Sequence, residues 1–297
     1  MRADRETVVV IGAGTMGRGI AQVAAAAGHD TRLFDVDRGV VEAAIAGIGA
    51  SMARRVEQGK MTEEARTATL NHLTPATDLR GAGVGATIAI EAVPEKMDLK
   101  VQVLSTVREV ATQECVLASN TSSLSLTELG RALGAGERCL GMHFFNPPPA
   151  MPLLEIVVGM HTEDSILDRA RGFAASIGKT AIVVRDSPGF ATSRLGVAIG
   201  AEAMRMLESG VASVADIDRA MELGYRHPMG PLKLSDLVGL DVRLAILEHL
   251  HREVGEQFRP PTILRQMVRA GWVGKKSGRG FYLWTDDGPV PADIKGG

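Results

Sequence analysis

The chain has 297 residues, 45% of them hydrophobic and 23% charged, the composition of a soluble protein that buries a sizeable core in one large domain or two smaller ones. Its 33 Lys and Arg nearly balance its 35 Asp and Glu, and a net charge of -2 offers no global positive field for nucleic acid or an anionic membrane. Two cysteines, Cys115 and Cys139, are too few for a disulfide framework or a Cys-based metal cluster, so a reducing, cytoplasmic setting without a metal is expected.

Arg2, Asp4, Arg5 and Glu6 lead straight into a β-like run, which does not read as a signal peptide, and no uncharged apolar run approaches the ~20 residues of a membrane span. In chain order the pattern predicts a strand at Thr7–Ile11, a helix from Met16 to Ala27, a strand at Thr31–Phe34 and a long helix from Arg38 to Gln58. A strand at Ala86–Ala92, a helix at Lys96–Ala111 and a strand at Val116–Ser119 come next. Apolar runs at Leu153–Val158 and Thr180–Val184, flanking a helical stretch from Ile166 to Ile177, extend the sheet. Strands alternating with helices make βαβ units and a parallel sheet covered on both faces. Beyond Asp186-Ser187-Pro188-Gly189 the strand-like runs stop and apolar residues recur at helical spacing: Leu195, Ile199, Met206, Ile217, Met221, Leu234 and Leu237. The expected architecture is a Rossmann-like, doubly wound α/β domain over residues 1–186, followed by an all-helical domain over 187–297.

Gly12-Ala13-Gly14-Thr15-Met16-Gly17 reads G-x-G-x-x-G directly between the first strand and the first helix. In that position Gly12 makes the tight turn, Gly14 lets the backbone approach a pyrophosphate, and Gly17 allows close helix–strand packing, with Thr15 and Met16 opening the helix whose N-terminus faces the phosphates. Asp35 ends the next predicted strand. A carboxylate there accepts from an adenosine ribose and repels a 2′-phosphate, favouring NAD over NADP, although Arg32 and Arg38 stand nearby.

For a nicotinamide enzyme the residue inventory narrows the chemistry. Neither tyrosine has a lysine four positions on, since Tyr225 is followed by Met229 and Tyr282 by Asp286, and the cysteines supply no zinc set. General acid–base assistance to hydride transfer remains, with His its commonest agent. Of seven histidines, His29 falls in a turn, His72, His161, His249 and His251 among charged or loop residues, and His227 in a Pro/Gly-rich loop. His143 ends the apolar stretch Cys139-Leu140-Gly141-Met142 at the strand-end side of the sheet, where open α/β folds bind ligands. A structural, hydrogen-bonded His is the competing reading. Two features favour function: the polar run Ser119-Asn120-Thr121-Ser122-Ser123 follows another strand, and Glu155 interrupts the apolar strand Leu153–Val158, where a carboxylate is costly unless paired. Pairing with His143 would orient the imidazole; the alternative is an edge or interface carboxylate.

Taken together, Gly12–Gly17, Ser119–Ser123, His143-Phe144-Phe145-Asn146-Pro147, Pro188-Gly189-Phe190, His227-Pro228-Met229-Gly230-Pro231, Gly239-Leu240-Asp241 and Gly274-Lys275-Lys276-Ser277-Gly278-Arg279-Gly280-Phe281-Tyr282 resemble the L-3-hydroxyacyl-CoA dehydrogenases, in particular the short bacterial 3-hydroxybutyryl-CoA dehydrogenases. The resemblance runs in order over nearly the whole chain. It implies NAD-linked interconversion of (3S)-3-hydroxyacyl-CoA and 3-ketoacyl-CoA, with His143 the base, Glu155 its partner, and Ser122 near both substrate oxygen and nicotinamide. It places cofactor contacts on Asp35, Glu95, Lys100, Ser122, Asn146 and Lys276, and substrate contacts on Ser51, Lys60 and Ser122. It also implies a homodimer joined through the helical domain. Where the family has Asn, this chain has Ser193 at the corresponding catalytic position. At a familiar Lys position it has Gln58, with Arg54, Arg55 and Lys60 nearby. Two rival readings stand beside this one. A sugar-acid dehydrogenase resembling L-gulonate 3-dehydrogenase would not need that basic cluster, and a non-catalytic NAD-binding protein finds support only in Ser193.

Overall fold

The computed structural model describes residues 5–294, so Arg2 and Asp4, like the last three residues, lie outside it. The chain divides into two compact units, Met1–Ser187 and Pro188–Gly297.

In chain order the first unit runs β1 (Thr7–Ile11), α1 (Thr15–Ala26), β2 (Asp30–Phe34), α2 (Arg38–Glu57), α3 (Glu63–Asn71), β3 (Leu73–Ala76), α4 (Leu79–Gly83) and β4 (Ile88–Glu91). It continues with α5 (Met97–Arg108), β5 (Val116–Ser119), α6 (Leu126–Leu133), β6 (Cys139–Phe144), β7 (Leu153–Val158), α7 (Asp164–Ser176) and β8 (Thr180–Arg185). The eight strands form one sheet in the order β3-β2-β1-β4-β5-β6-β7-β8. All pairings are parallel except β6 with β7. Val8, Val9 and Val10 of β1 and Ile88, Ala89 and Ile90 of β4 are wholly buried, as central strands covered by helices on both faces must be. The strand order reverses between β1 and β4, which opens a crevice at the carboxyl ends of these two strands.

Several elements here escape sequence reading. The strand β3 includes Pro75, which is tolerated because β3 is an edge strand paired only with β2. The helices α3 and α4 are short, and α4 carries two glycines in five residues. The stretch from Cys139 is a six-residue strand, and it turns back antiparallel into β7 rather than crossing over.

The second unit contains α8 (Thr192–Glu208), α9 (Val214–Arg219), α10 (Pro231–Val238), α11 (Leu240–Glu253) and α12 (Thr262–Arg269). It is not all-helical, which corrects the expectation from sequence: β9 (Tyr282–Thr285) and β10 (Gly288–Pro291) pair as an antiparallel hairpin. The aromatic and β-branched Tyr-Leu-Trp-Thr run and the Asp-Asp-Gly turn after it form a hairpin signal overridden in the sequence reading by the helical spacing upstream. Two buried aspartates fasten this hairpin. Asp236 of α10 accepts from the backbone N–H of Phe281 and Tyr282 (both 2.9 Å) and from Trp284 Nε1 (3.0 Å). Asp218 of α9 accepts from Leu232 and Lys233 N–H and from the Tyr282 hydroxyl (2.7 Å). A Cβ at Gly280 would lie 2.1 Å from Asp236 Oδ1, and one at Gly274 2.3 Å from its carbonyl oxygen, so both glycines are required for the approach.

Candidate active site

The glycine loop occupies the crevice beside β1. Gly12 has φ +100°, and a Cβ there would sit 2.7 Å from the Ala92 carbonyl that follows β4. A Cβ at Gly17 would fall 1.7 Å from the Gly12 carbonyl oxygen, which only glycine permits. Gly14, the N-cap of α1, has nothing within 4 Å of such a Cβ. The backbone there faces open space at a helix N-terminus, the arrangement that accepts a diphosphate. Asp35 closes the loop from the side, its Oδ2 accepting from Ala13 N–H at 2.8 Å. The two arginines near it are engaged elsewhere: Arg32 donates to the carbonyls of Ala82 and Val84 (both 2.7 Å), and Arg38 pairs with Glu42 at 2.7 Å. Neither is held ready for a 2′-phosphate. Thr15 and Met16 form the first turn of α1, as expected.

His143 and Glu155 stand directly opposite each other in the β6–β7 ladder. Antiparallel pairing puts opposed side chains on the same face of the sheet, and His143 Nδ1 meets Glu155 Oε2 at 2.8 Å. Glu155 is 0% exposed and His143 8%. Because a carboxylate only accepts, Nδ1 carries the hydrogen, and in the neutral ring Nε2 holds the lone pair. The Phe145 ring packs at 4.7 Å from the imidazole. The pair sits at the carboxyl edge of the sheet, adjoining the loop after β5.

That loop is tied to the end of β6 and to the β4 edge by polar contacts that sequence reading did not anticipate. Asn120 Oδ1 accepts from Phe144 N–H at 2.9 Å, joining the loop to the end of β6. Glu95 accepts from the Thr121 hydroxyl, Ser122 N–H (3.2 Å) and the Ser123 hydroxyl (3.0 Å). Burial pushes the Glu95 carboxyl up, but Lys100 and the two hydroxyls outweigh it and hold the group below its usual range. Lys100 is 1% exposed, and its ammonium is shared between Glu91 (2.8 and 3.0 Å) and Glu95 (3.0 Å). With its ammonium directed at the Glu91 and Glu95 carboxylates, Lys100 orders Glu95 and, through it, the Ser122 loop. Glu91, wholly buried and also bound by Ser119, was missed. The signal was present: a carboxylate ending an apolar strand, the same cue that singled out Glu155.

Asn146 is exposed at the head of the Phe145–Pro152 loop. Next to it a cavity of about 410 Å³ is lined by Thr15, Arg18, Ser51, Arg54, Arg55 and residues 147–150, among others. Ser51 and the two α2 arginines thus face one space, joined by Arg18, which sequence reading overlooked. Lys60, exposed beyond the end of α2, is not among the lining residues. In the second unit, Ser193 lies in the first turn of α8, and Lys276 is paired with Asp241 at 2.6 Å.

Burial pushes both thiols up to about 12, so neither cysteine offers a thiolate near neutral pH. Among the described residues no three His, Cys, Asp or Glu side chains are grouped to hold a metal ion, and no helix is long and apolar enough to cross a membrane.

A glycine loop at the switch point with an acid beside it is the arrangement of a dinucleotide-binding protein, and a buried His–Glu pair stands at the same sheet edge. Comparison with known proteins narrows the class. Residues 7–187 match the family described as 3-hydroxyacyl-CoA dehydrogenase, NAD binding domain, and residues 189–284 its C-terminal domain. The chain is 42% identical over 280 residues to a probable 3-hydroxybutyryl-CoA dehydrogenase of Bacillus subtilis, covering 94% of this chain and 97% of the relative. It is 40% identical over 292 residues to a 3-hydroxybutyryl-CoA dehydrogenase of Bradyrhizobium diazoefficiens, covering 98% and 99%. The crystal structure of the (S)-3-hydroxybutyryl-CoA dehydrogenase of Ralstonia eutropha superposes with a TM-score of 0.90 at 38% identity, covering 94% and 99%. The chain belongs to the 3-hydroxyacyl-CoA dehydrogenase family, and it is an NAD-dependent enzyme of that family.

Proposed function

We propose that the protein interconverts a short-chain (3S)-3-hydroxyacyl-CoA, 3-hydroxybutyryl-CoA foremost, and the 3-ketoacyl-CoA. The observation that carries this reading is the buried His143–Glu155 cross-strand pair at the carboxyl edge of the sheet. In alcohol oxidation His143 Nε2 is the group that would take the C3 hydroxyl proton, the hydride-accepting chemistry being what NAD would supply when bound. Glu155 holds the Nδ1–H, fixing the tautomer that leaves Nε2 basic. Ser122 is assigned to the substrate oxygen and the nicotinamide side, Asp35 to the adenosine ribose, and Glu95, Asn146 and Lys276 to further cofactor contacts. Lys100 is assigned a positioning role through Glu95. Ser51, Arg54 and Arg55, which line one cavity, are assigned to the CoA phosphates.

Steady-state turnover of NADH with acetoacetyl-CoA tests the reading, with a sugar acid run in parallel. His143→Gln is expected to lower kcat on the order of 10²–10⁴-fold while NADH still binds. Glu155→Gln is expected to lower it less, because the ring remains but its orientation loosens. Comparable turnover by His143→Gln would defeat the mechanism, and preference for the sugar acid would defeat the substrate class.

Homodimerisation through the helical unit belongs to the same proposal. Leu195 and Ile199 of α8, Leu234, Leu237 and Val238 of α10 and Val242 of α11 are all exposed, an apolar face typical of an interface. Beneath these helices Arg243 is 5% exposed and lies against Gly196 and Gly200 of α8. Burial pulls its guanidinium down to about 10, and its Nε has no acceptor among the described residues.

A further inference from the structure

The loop between β6 and β7 contains three consecutive prolines, Pro147, Pro148 and Pro149, which leaves it three backbone donors short. Pro147's carbonyl is satisfied within the loop, by the N–H of Ala150 (3.0 Å) and Met151 (3.1 Å). The carbonyls of Pro148 and Met151 are met from outside. Lys179, in the turn between α7 and β8, donates its ammonium to both, at 2.6 and 2.7 Å. Lys179 is half-buried, and burial pulls its pKa below the usual lysine range. Held in this way, the Pro148 ring seats on Gly19 of α1, where a Cβ would come within 2.6 Å of it. Residues 147–150 then line the same cavity as Arg54 and Arg55.

We propose that Lys179 is a positioning residue for acyl-CoA recognition: by pinning the proline loop against α1 it sets the width of the cavity that takes the nucleotide end of CoA. This rests on the reading of that cavity as the CoA site. Lys179 touches neither the His143–Glu155 pair nor the glycine loop, so its effect belongs to affinity for the CoA moiety and not to the chemical step.

The test compares acetoacetyl-CoA with acetoacetyl-pantetheine, which carries the same acyl thioester but lacks the nucleotide. In Lys179→Met the KM for the CoA thioester is expected to rise about tenfold, as for loss of charged hydrogen bonds, with kcat unchanged and the pantetheine KM unmoved. Lys179→Arg, which keeps the charge, should fall between. Gly19→Ala reaches the same wall independently by displacing Pro148, and the same CoA-selective rise is expected; this variant stands in should Lys179→Met fail to fold. A kcat loss shared by both thioesters would show that Lys179 supports the catalytic hairpin as a whole and would overturn the proposal, as would an unchanged CoA KM. Equal KM values for the two thioesters in the unaltered enzyme would instead remove the CoA reading of the cavity, a separate failure.

Discussion

Ser193 stands where the resemblance leads one to expect Asn, and the structure gives it a precise setting: the second residue of α8, half-buried in the first helical turn. A Ser hydroxyl reaches less far than an Asn amide and cannot donate and accept from separate atoms. If the family's amide contacts substrate or base directly, Ser193→Asn restores one hydrogen bond, and kcat on acetoacetyl-CoA is expected to rise roughly two- to tenfold. A fall on every acyl-CoA tried would mean that the pocket has repacked around the smaller side chain. His143 and Glu155 were legible for a different reason. A carboxylate inside an apolar strand demands a partner, and that demand can be read without coordinates. The burial of Lys100 was not legible in the same way. Its ion pairs come from Glu91 and Glu95 on neighbouring segments of the fold, so nothing in the residues around it marks the side chain as buried.

At the scale of elements, the strands and helices with strong periodicity matched closely, and β5 and β7 fell where the pattern placed them. What escaped were pieces whose stability comes from neighbours: β3 leaning on β2, and the C-terminal hairpin held by Asp236. His29 belongs at this scale too, since it joins three elements. Its Nδ1 accepts from Glu6 N–H at 3.1 Å, so Nε2 carries the hydrogen and meets the Ser176 hydroxyl at 2.7 Å, which in turn donates to the Phe173 carbonyl. The chain of donors closes only with a neutral ring. Burial lowers the His29 pKa, opposed by Glu6, while His72 and Arg5 lower it further and Asp30 raises it. The native pKa therefore lies below that of the unfolded chain, and the unfolded state binds the extra proton as acidity rises. The stabilisation is complete above the unfolded value of ~6.5 and is lost as pH falls toward the native one. The melting temperature of the unaltered protein is expected to drop more steeply below pH 6.5 than that of His29→Gln. Parallel curves would exclude the coupling.

For the whole molecule, the apolar residues exposed on α8, α10 and α11 bear on assembly. Leu237→Glu places a charge on that face and is expected to halve the particle mass seen by light scattering, without loss of helix content. A monomeric unaltered protein would dismiss the interface. The two-unit organisation was legible from the change in texture after Asp186. The contents of the second unit were less so, because its last residues are bound to positions about 45 and 64 earlier in the chain.

The order in which the chain is made gives that last feature a further consequence. The first unit is contiguous and complete by Ser187, so it can fold while the ribosome is still extending the chain. The second cannot finish in step with its synthesis. Asp236 and Asp218 are enclosed among helices made early, yet donors to both come from Phe281, Tyr282 and Trp284, near the end. Until those residues leave the exit tunnel, the Asp236 carboxylate must stay in water or be enclosed without its donors, while Asp218 has only its bonds from Leu232 and Lys233 at the start of α10. A chain stopped after Gly278 should thus show a protease-resistant first unit and a digestible second one; resistance of both would mean the helices close without their clasp. Emergence of the hairpin residues, rather than the synthesis of any helix, becomes the event that completes the second unit.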